Sequence, residues 1–232
     1  MSDPIASRAR QIARSDVVLH GEEAGAGPTV LLLHAGGERR QVWRPVIGVL
    51  VDAGFRCVAF DQRGHGDSDG SLNALAPCAA DVAAMVDAEP QGCVVVGNSL
   101  GGLAALGDPA VRARVAGLVL VDIVPNLAPD RVRRHLGDVG MLGRYPEFTD
   151  DTFAQTPRLR QIATELDLPV LLVRGGRSPL TDDDVDGLLR LAPQTTVTRI
   201  PGAGHLVARD QPVALAETIA AHATEWARID TL

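Results

Sequence analysis

Seven short apolar runs recur along this chain, at 17–20, 30–34, 57–60, 94–97, 118–122, 170–174 and 196–200. Most are unbroken Val, Leu or Ile rather than alternating with polar residues, the pattern of strands buried on both faces of a parallel sheet. Between them, at 42–53, 75–88, 100–107, 182–191 and 213–228, apolar positions fall at helical spacing. This alternation predicts an α/β fold: a mostly parallel central sheet with helices on both faces, joined by right-handed crossovers. One interval breaks the rhythm. Residues 125–169 hold no clear strand and carry Pro129, Gly137, Gly140, Gly143, Pro146 and Pro157. They also gather Met141, Tyr145, Phe148 and Phe153 in a chain only 3% aromatic. The interval is expected to be a reduced lid, with Met141, Tyr145 and Phe148 on the wall of a substrate pocket.

With 232 residues, 46% of them hydrophobic, the chain suffices for one domain over 1–232 with a sizeable core. A net charge of −7 argues against nucleic acid or an anionic membrane surface as partner. No apolar run approaches the ~18–20 residues of a membrane-spanning helix. The first fifteen residues carry Arg8, Arg10 and Arg14 but no apolar stretch of the kind a secretory signal needs. Cys57, Cys78 and Cys93 are odd in number and lack metal spacing, so they are expected to be buried free thiols in a cytoplasmic protein. Nothing in the pattern speaks to oligomeric state.

The chemistry gathers at Gly97-Asn98-Ser99-Leu100-Gly101, between the run Val94-Val95-Val96 and the helix-forming Gly102-Leu103-Ala104-Ala105. A strand running straight into a helix strains the central residue of the turn. It also brings the flanking positions so close that only small residues fit two places before and after. Ser99 then stands exposed at a strand's C-terminal end. The following N–H groups and the helix dipole face whatever oxygen it attacks.

Three further motifs accompany this one: His34-Ala35-Gly36-Gly37 after a strand, Asp61-Gln62-Arg63-Gly64-His65-Gly66-Asp67-Ser68, and Gly202-Ala203-Gly204-His205 near the end. Together and in this order they resemble the α/β-hydrolase superfamily, in particular its small, soluble, cofactor-free branch of esterase-like and haloperoxidase-like members. The resemblance runs from about Val17 to Trp226. It implies Ser99 as nucleophile and His205 as its base, since a free hydroxyl attacks poorly near neutral pH. It also implies an oxyanion hole from the N–H groups of Gly36 and Leu100, each worth ~3–4 kcal/mol in the transition state. Gly37 would border the substrate. Ala35 departs from the glycine usual in this family. By the same resemblance His34, His65 and the Asp61-to-Ser68 turn are structural. His20, His135 and His222 fall on strand, lid and helix surfaces, and Trp43 belongs to the core. No metal or organic cofactor is implied, and the partner is a small-molecule substrate.

The acid that orients the histidine is the open point. In close relatives an Asp follows the strand read here at 170–174, but the turn is Gly175-Gly176-Arg177-Ser178-Pro179, and proline at the acid's place accepts no hydrogen bond from an imidazole. Asp182, Asp183 and Asp184 lie just beyond, after Thr181, where they suit the first turn of a helix. The superfamily has a second location, after the preceding strand, and Asp122 falls there. Asp122, one of the three later aspartates, or no acid at all stand as the alternatives. The expected function is a serine hydrolase cleaving an ester, thioester or lactone through an acyl-enzyme, with Asp122 orienting His205. The alternative is a cofactor-free lyase, cyclase or C–C bond-cleaving enzyme using the same Ser-His pocket, and, from another class, a ligand-binding receptor on the same fold.

Overall fold

The structure of the protein is a computed structural model describing residues 6–229, so the first five and last three positions of the expected domain lie outside the described residues. Eight strands form one sheet: β1 (Ser7–Ala13), β2 (Val18–Ala24), β3 (Thr29–Leu33), β4 (Arg56–Phe60), β5 (Cys93–Asn98), β6 (Val115–Val121), β7 (Val170–Gly175) and β8 (Thr195–Ile200). Their spatial order is β1-β2-β4-β3-β5-β6-β7-β8. β2 pairs antiparallel with β1 and β4, and all other pairs are parallel. The helices are α1 (Arg44–Asp52), α2 (Leu75–Asp87), α3 (Leu100–Gly107), α4 (Pro109–Arg112), α5 (Pro129–Asp138), α6 (Pro146–Thr164), α7 (Asp182–Leu191), α8 (Val207–Asp210) and α9 (Pro212–Ile229).

Successive residues of a strand point to opposite faces, and here both faces are apolar because both are covered. Leu32, Val96, Val119 and Val173 pack with α1 and α9, around Trp43 and Trp226. Trp226 lies so close over Gly117 that a Cβ there would overlap the indole. On the other face Leu31, Leu33, Val95, Leu120 and Leu172 meet α2, α3 and α7. Cys57, Cys78 and Cys93 are free and buried within these layers, where loss of solvent pushes each thiol up to about 12.

Two regions differ from the sequence pattern. β1 was not foreseen, because it is held by charge rather than by apolar periodicity. Arg8 and Arg10 reach across to Glu23, Arg10 also bonds Glu89 at 2.9 Å, and Arg56 joins both carboxylates. Burial raises the carboxyl pKa of Glu23, but the three arginine hydrogen bonds outweigh it and leave it lowered to about 2. An edge strand set with arginines is also protected from pairing with other chains. The second difference is the 125–169 interval, where two helices stand. Pro129 and Pro146 open α5 and α6, a position where the missing N–H is unneeded, while Gly140 and Gly143 (φ 69 and 79) shape the connection. Pro157 lies inside α6 and divides it. Leu159, Ile162 and Ala163 beyond it are buried, whereas Tyr145, Phe148 and Phe153 before it face a cavity. Asp151 fixes α6 to the body by accepting the N–H of Leu75 at 2.8 Å, at the N-terminus of α2, where no side chain of α2's own cap does so.

Candidate active site

β5 ends at Asn98 and α3 begins at Leu100, so Ser99 alone makes the turn, with φ 51 and ψ −110. A Cβ on Gly97 would lie under 3.0 Å from the backbone of Gly101 and Gly102, and one on Gly101 equally close to the carbonyl of Leu33. Both glycines are therefore required by close approach. The strained serine is locked from behind: its N–H donates to Val121 O at 3.1 Å, and Asn98 Nδ2 donates to Val121 O at 3.0 Å and to His205 O at 3.1 Å.

Asp122 follows β6 directly. It has φ 54, a left-handed conformation that Asp tolerates better than most residues, and it is fully buried. Its Oδ1 accepts the N–H of Gly175 at 2.9 Å, and its Oδ2 lies 2.9 Å from His205 Nδ1. A buried carboxylate held by a backbone donor on one oxygen fixes the imbalance of the ring on the other: Nδ1 of His205 carries the proton and Nε2 is left free. No hydrogen bond joins Ser99 Oγ to His205 among the described residues. None of the later aspartates meets the ring. Asp182 pairs with Arg174 at 2.5 Å, Asp183 is exposed, and Asp184 closes a capping box with Thr181 while pairing with Arg131.

The loop carrying Gly36 is built on two neutral imidazoles. His34 Nε2 accepts the N–H of Gln62 at 3.0 Å, so its Nδ1 donates to Ala35 O at 2.8 Å. His65 Nε2 accepts the N–H of Gly37 at 2.9 Å, and its Nδ1 donates to Arg63 O at 3.0 Å. Both rings must be unprotonated to serve as acceptors. Burial pushes His34 down to about 4 and lowers His65 in the same direction. Beneath them Asp61, fully buried, accepts the N–H groups of Arg40 at 2.7 Å and Asp67 at 3.0 Å. Arg63 clamps Asp81 through two bonds of 2.6 and 2.8 Å. Gly37 N–H is thus spoken for, whereas the N–H groups of Gly36 and Leu100 have no acceptor among the described residues.

A cavity of about 830 Å³ unites these parts: Ser99, His205, Asp122, Gly36, Leu100 and Gly37 border it, as do Met141, Tyr145 and Phe148 from the 125–169 segment. Trp43, by contrast, is wholly core. Several polar residues of the cavity escaped the sequence reading, His135 and Glu38 among them. His135, expected on an outer surface, turns inward, its ring 4.8 Å from that of His205 and edge-on. Its position in the phase of α5, one turn after Arg131, was the only available signal. Glu38 also borders the cavity, with burial raising its carboxyl pKa and Ala35 N–H 3.4 Å from its Oε2.

Fold and site together define a class. Residues 30–218 match the profile of the alpha/beta hydrolase family, and the chain belongs to that family, a hydrolase by class. Esterase Rv0045c of Mycobacterium tuberculosis is 31% identical, over 84% of this chain and 82% of that protein. The 2-(acetamidomethylene)succinate hydrolase of Mesorhizobium japonicum is 28% identical over 91% and 92%. A shorter match, 44% identical over 115 residues to RutD of Variovorax paradoxus, named a carbamate hydrolase, spans only 45% of this chain and 42% of that one. Among solved structures, an E-2-(acetamidomethylene)succinate hydrolase shares the fold with a TM-score of 0.75 and 24% identity, over 93% of this chain and 98% of that one. Among the described residues, no helix is long and apolar enough to cross a membrane.

Proposed function

We propose that the protein is a serine hydrolase that cleaves an ester, thioester or lactone through an acyl-enzyme on Ser99. The observation that carries this reading is the buried Asp122 carboxylate 2.9 Å from His205 Nδ1, on a ring that shares one cavity with a serine at a strained strand–helix turn. With Nδ1–H committed to Asp122, Nε2 takes the proton of Ser99 as its oxygen attacks the carbonyl carbon. Asp122 then stabilises the imidazolium that forms. The developing oxyanion lies between the unsatisfied N–H groups of Gly36 and Leu100, at the positive end of α3. The imidazolium passes its proton to the leaving oxygen or sulfur. The same residues then activate water against the acyl-enzyme, releasing acid and free serine. The family relatives named as esterase and as hydrolases of an amide-bearing succinate are consistent with acyl chemistry. The Asp122 carboxylate on the imidazole, where the turn at Pro179 offers none, supports a complete serine–histidine–aspartate set over a Ser-His pair alone.

Incubation with a fluorophosphonate followed by intact-mass measurement tests the reading. Wild type is expected to gain one adduct and Ser99→Ala none. A folded wild type that stays unlabelled and turns over no ester overturns it.

A further inference from the structure

The wall that α5 turns toward the cavity is apolar at Val132 and Leu136, and at Val139 just beyond its end, and it is interrupted by two polar residues one turn apart, Arg131 and His135. They are not equivalent. Arg131 is consumed by its ion pair with the buried carboxylate of Asp184, which anchors α5 to α7. His135 has no hydrogen-bond partner among the described residues, although its ring is half-buried and packs edge-on against His205 at 4.8 Å between centroids. Burial lowers its pKa, and a positive charge on the neighbouring His205 lowers it further. When His205 becomes imidazolium, His135 is therefore a neutral ring with one N–H donor and one lone pair, both unused. On this otherwise apolar wall the unspent polar atoms are what can orient a ligand.

The direction of that orientation follows from the site. The acyl oxygen belongs at Gly36 and Leu100, and the acyl chain departs from the carbonyl carbon away from them. The atom that His205 protonates is the leaving oxygen or sulfur, so whatever is bonded to that atom sits beside His205, where His135 stands. We propose that His135 is a substrate-contacting residue that selects leaving groups bearing a hydrogen-bonding atom close to the scissile oxygen or sulfur. This rests on the serine hydrolase reading above and adds to it the polarity of the leaving-group side. No bond is made or broken at His135. It holds a neighbouring hydroxyl, carbonyl or amide of the leaving group while His205 moves the proton.

Two esters with one acyl group isolate the effect: 2-hydroxyethyl butyrate and propyl butyrate, which differ by a hydroxyl in place of a methyl. Both form the same butyryl-enzyme, so deacylation is common to them and discrimination appears in kcat/KM. Wild type is expected to favour the hydroxyethyl ester by about five- to tenfold, the range of one net hydrogen bond. His135→Phe should bring the ratio to about one, and His135→Gln, which retains a donor and an acceptor, should keep part of it. A circular dichroism spectrum and fluorophosphonate labelling of each variant establish that it is folded with a working serine. If His135→Phe does not fold, the wild-type ratio and that of His135→Gln decide. A wild-type ratio near one, or variants that slow both esters equally, overturns the proposal while leaving the hydrolase reading standing. Labelling without turnover of either ester overturns this proposal too, and absence of labelling overturns both.

Discussion

The cavity has two walls of different construction. One is the sheet edge: the Gly36 loop on His34 and His65, the turn around buried Asp61, the elbow at Ser99 and the buried Asp122, tied by short bonds among enclosed polar groups. The other is the pair α5 and the first half of α6. There α5 has no buried residue, Val139 and Leu142 are more than half exposed, and few bonds reach the body. The first wall holds atoms that must be placed to within a fraction of an ångström, and enclosure keeps their alternatives away. In the proposed function the second would meet the variable part of a substrate, where a loosely held apolar surface with one or two free polar atoms suffices. On this reading chemistry belongs to the rigid wall and selectivity to the lid.

The comparison breaks most severely if the rigid wall proves dispensable. Ser99→Ala should remove turnover by a factor on the order of 10⁶ while leaving the melting temperature close to wild type, because nucleophile and base act as a unit. Ester turnover by purified, folded mutant comparable to wild type would dissolve the distinction. Asp122→Asn should keep the packing volume yet hold the imidazole in the wrong tautomer, lowering kcat by roughly 10³–10⁴. The triple change of Asp182, Asp183 and Asp184 to Asn should spare kcat by comparison. Its effect should fall on stability, through the capping box and the pair with Arg131, at about 1 kcal/mol by urea unfolding.

A third test concerns pH. The folded protein keeps His34 neutral down to about 4, while in the unfolded chain it takes a proton near its ordinary value of 6.5. Stability is then fully present above that ordinary value and falls as pH drops toward 4, by up to about 3 kcal/mol from this ring, with His65 adding in the same direction. Glu23 works in a lower window, since its contribution is lost only as pH falls below 4.5 toward 2. Urea midpoints at pH 7.5, 6.0 and 5.0 separate them. A flat profile across these three would mean that the two imidazoles are not the supports described. The smallest effects belong to the lid. Met141→Ala, Tyr145→Ala and Phe148→Ala should shift acyl-chain preference a fewfold with little change in melting temperature. If all three lower the melting temperature and leave preference alone, the second wall is ordinary packing.

How much of this was legible beforehand follows the same division. The elbow shows in sequence because its residues are contiguous: Gly97 is forced by a backbone contact with Gly101 and Gly102 within five residues, and Gly101, forced by the neighbouring strand at Leu33, completes the same short motif. The parallel strands show because burial on both faces leaves unbroken Val and Leu runs. Asp122 was visible as the favoured one of several candidates, because Pro179 excluded the other location, but its partners Gly175 and His205 lie too far along the chain for sequence to join them. β1 was invisible because its stabilising charges sit at 23, 56 and 89. The helices α5 and α6 were masked by prolines and glycines that mark their ends. His135 could not be assigned a direction without the phase of α5 against a cavity that sequence does not draw.

The register of β5 and β6 has a mechanical consequence. Asn98 is paired with Val121, so the residues next in line, Ser99 and Asp122, leave adjacent strands side by side, each in a left-handed turn, with Ser99 N–H bonded to Val121 O. Their separation is therefore a property of the ladder and has no soft coordinate of its own. Of the three groups in the proposed catalytic set, only His205 is carried far from the ends of β5 and β6. Asn98 grips its carbonyl and Asp122 its ring, while the neighbouring Gly204 N–H is tied to Asp210 at 2.7 Å. At the end of β7 the Gly175 N–H serves Asp122, and the turn beyond it braces the loop that carries His205: Arg177 N–H donates to Ala203 O at 2.8 Å and Arg177 Nη2 to Gly202 O at 2.6 Å. The pocket rim at Arg177 and the placement of the imidazole are therefore mechanically linked, so a change in the length of this turn reaches His205 through Gly202 and Ala203 while leaving the serine and the carboxylate on their ladder.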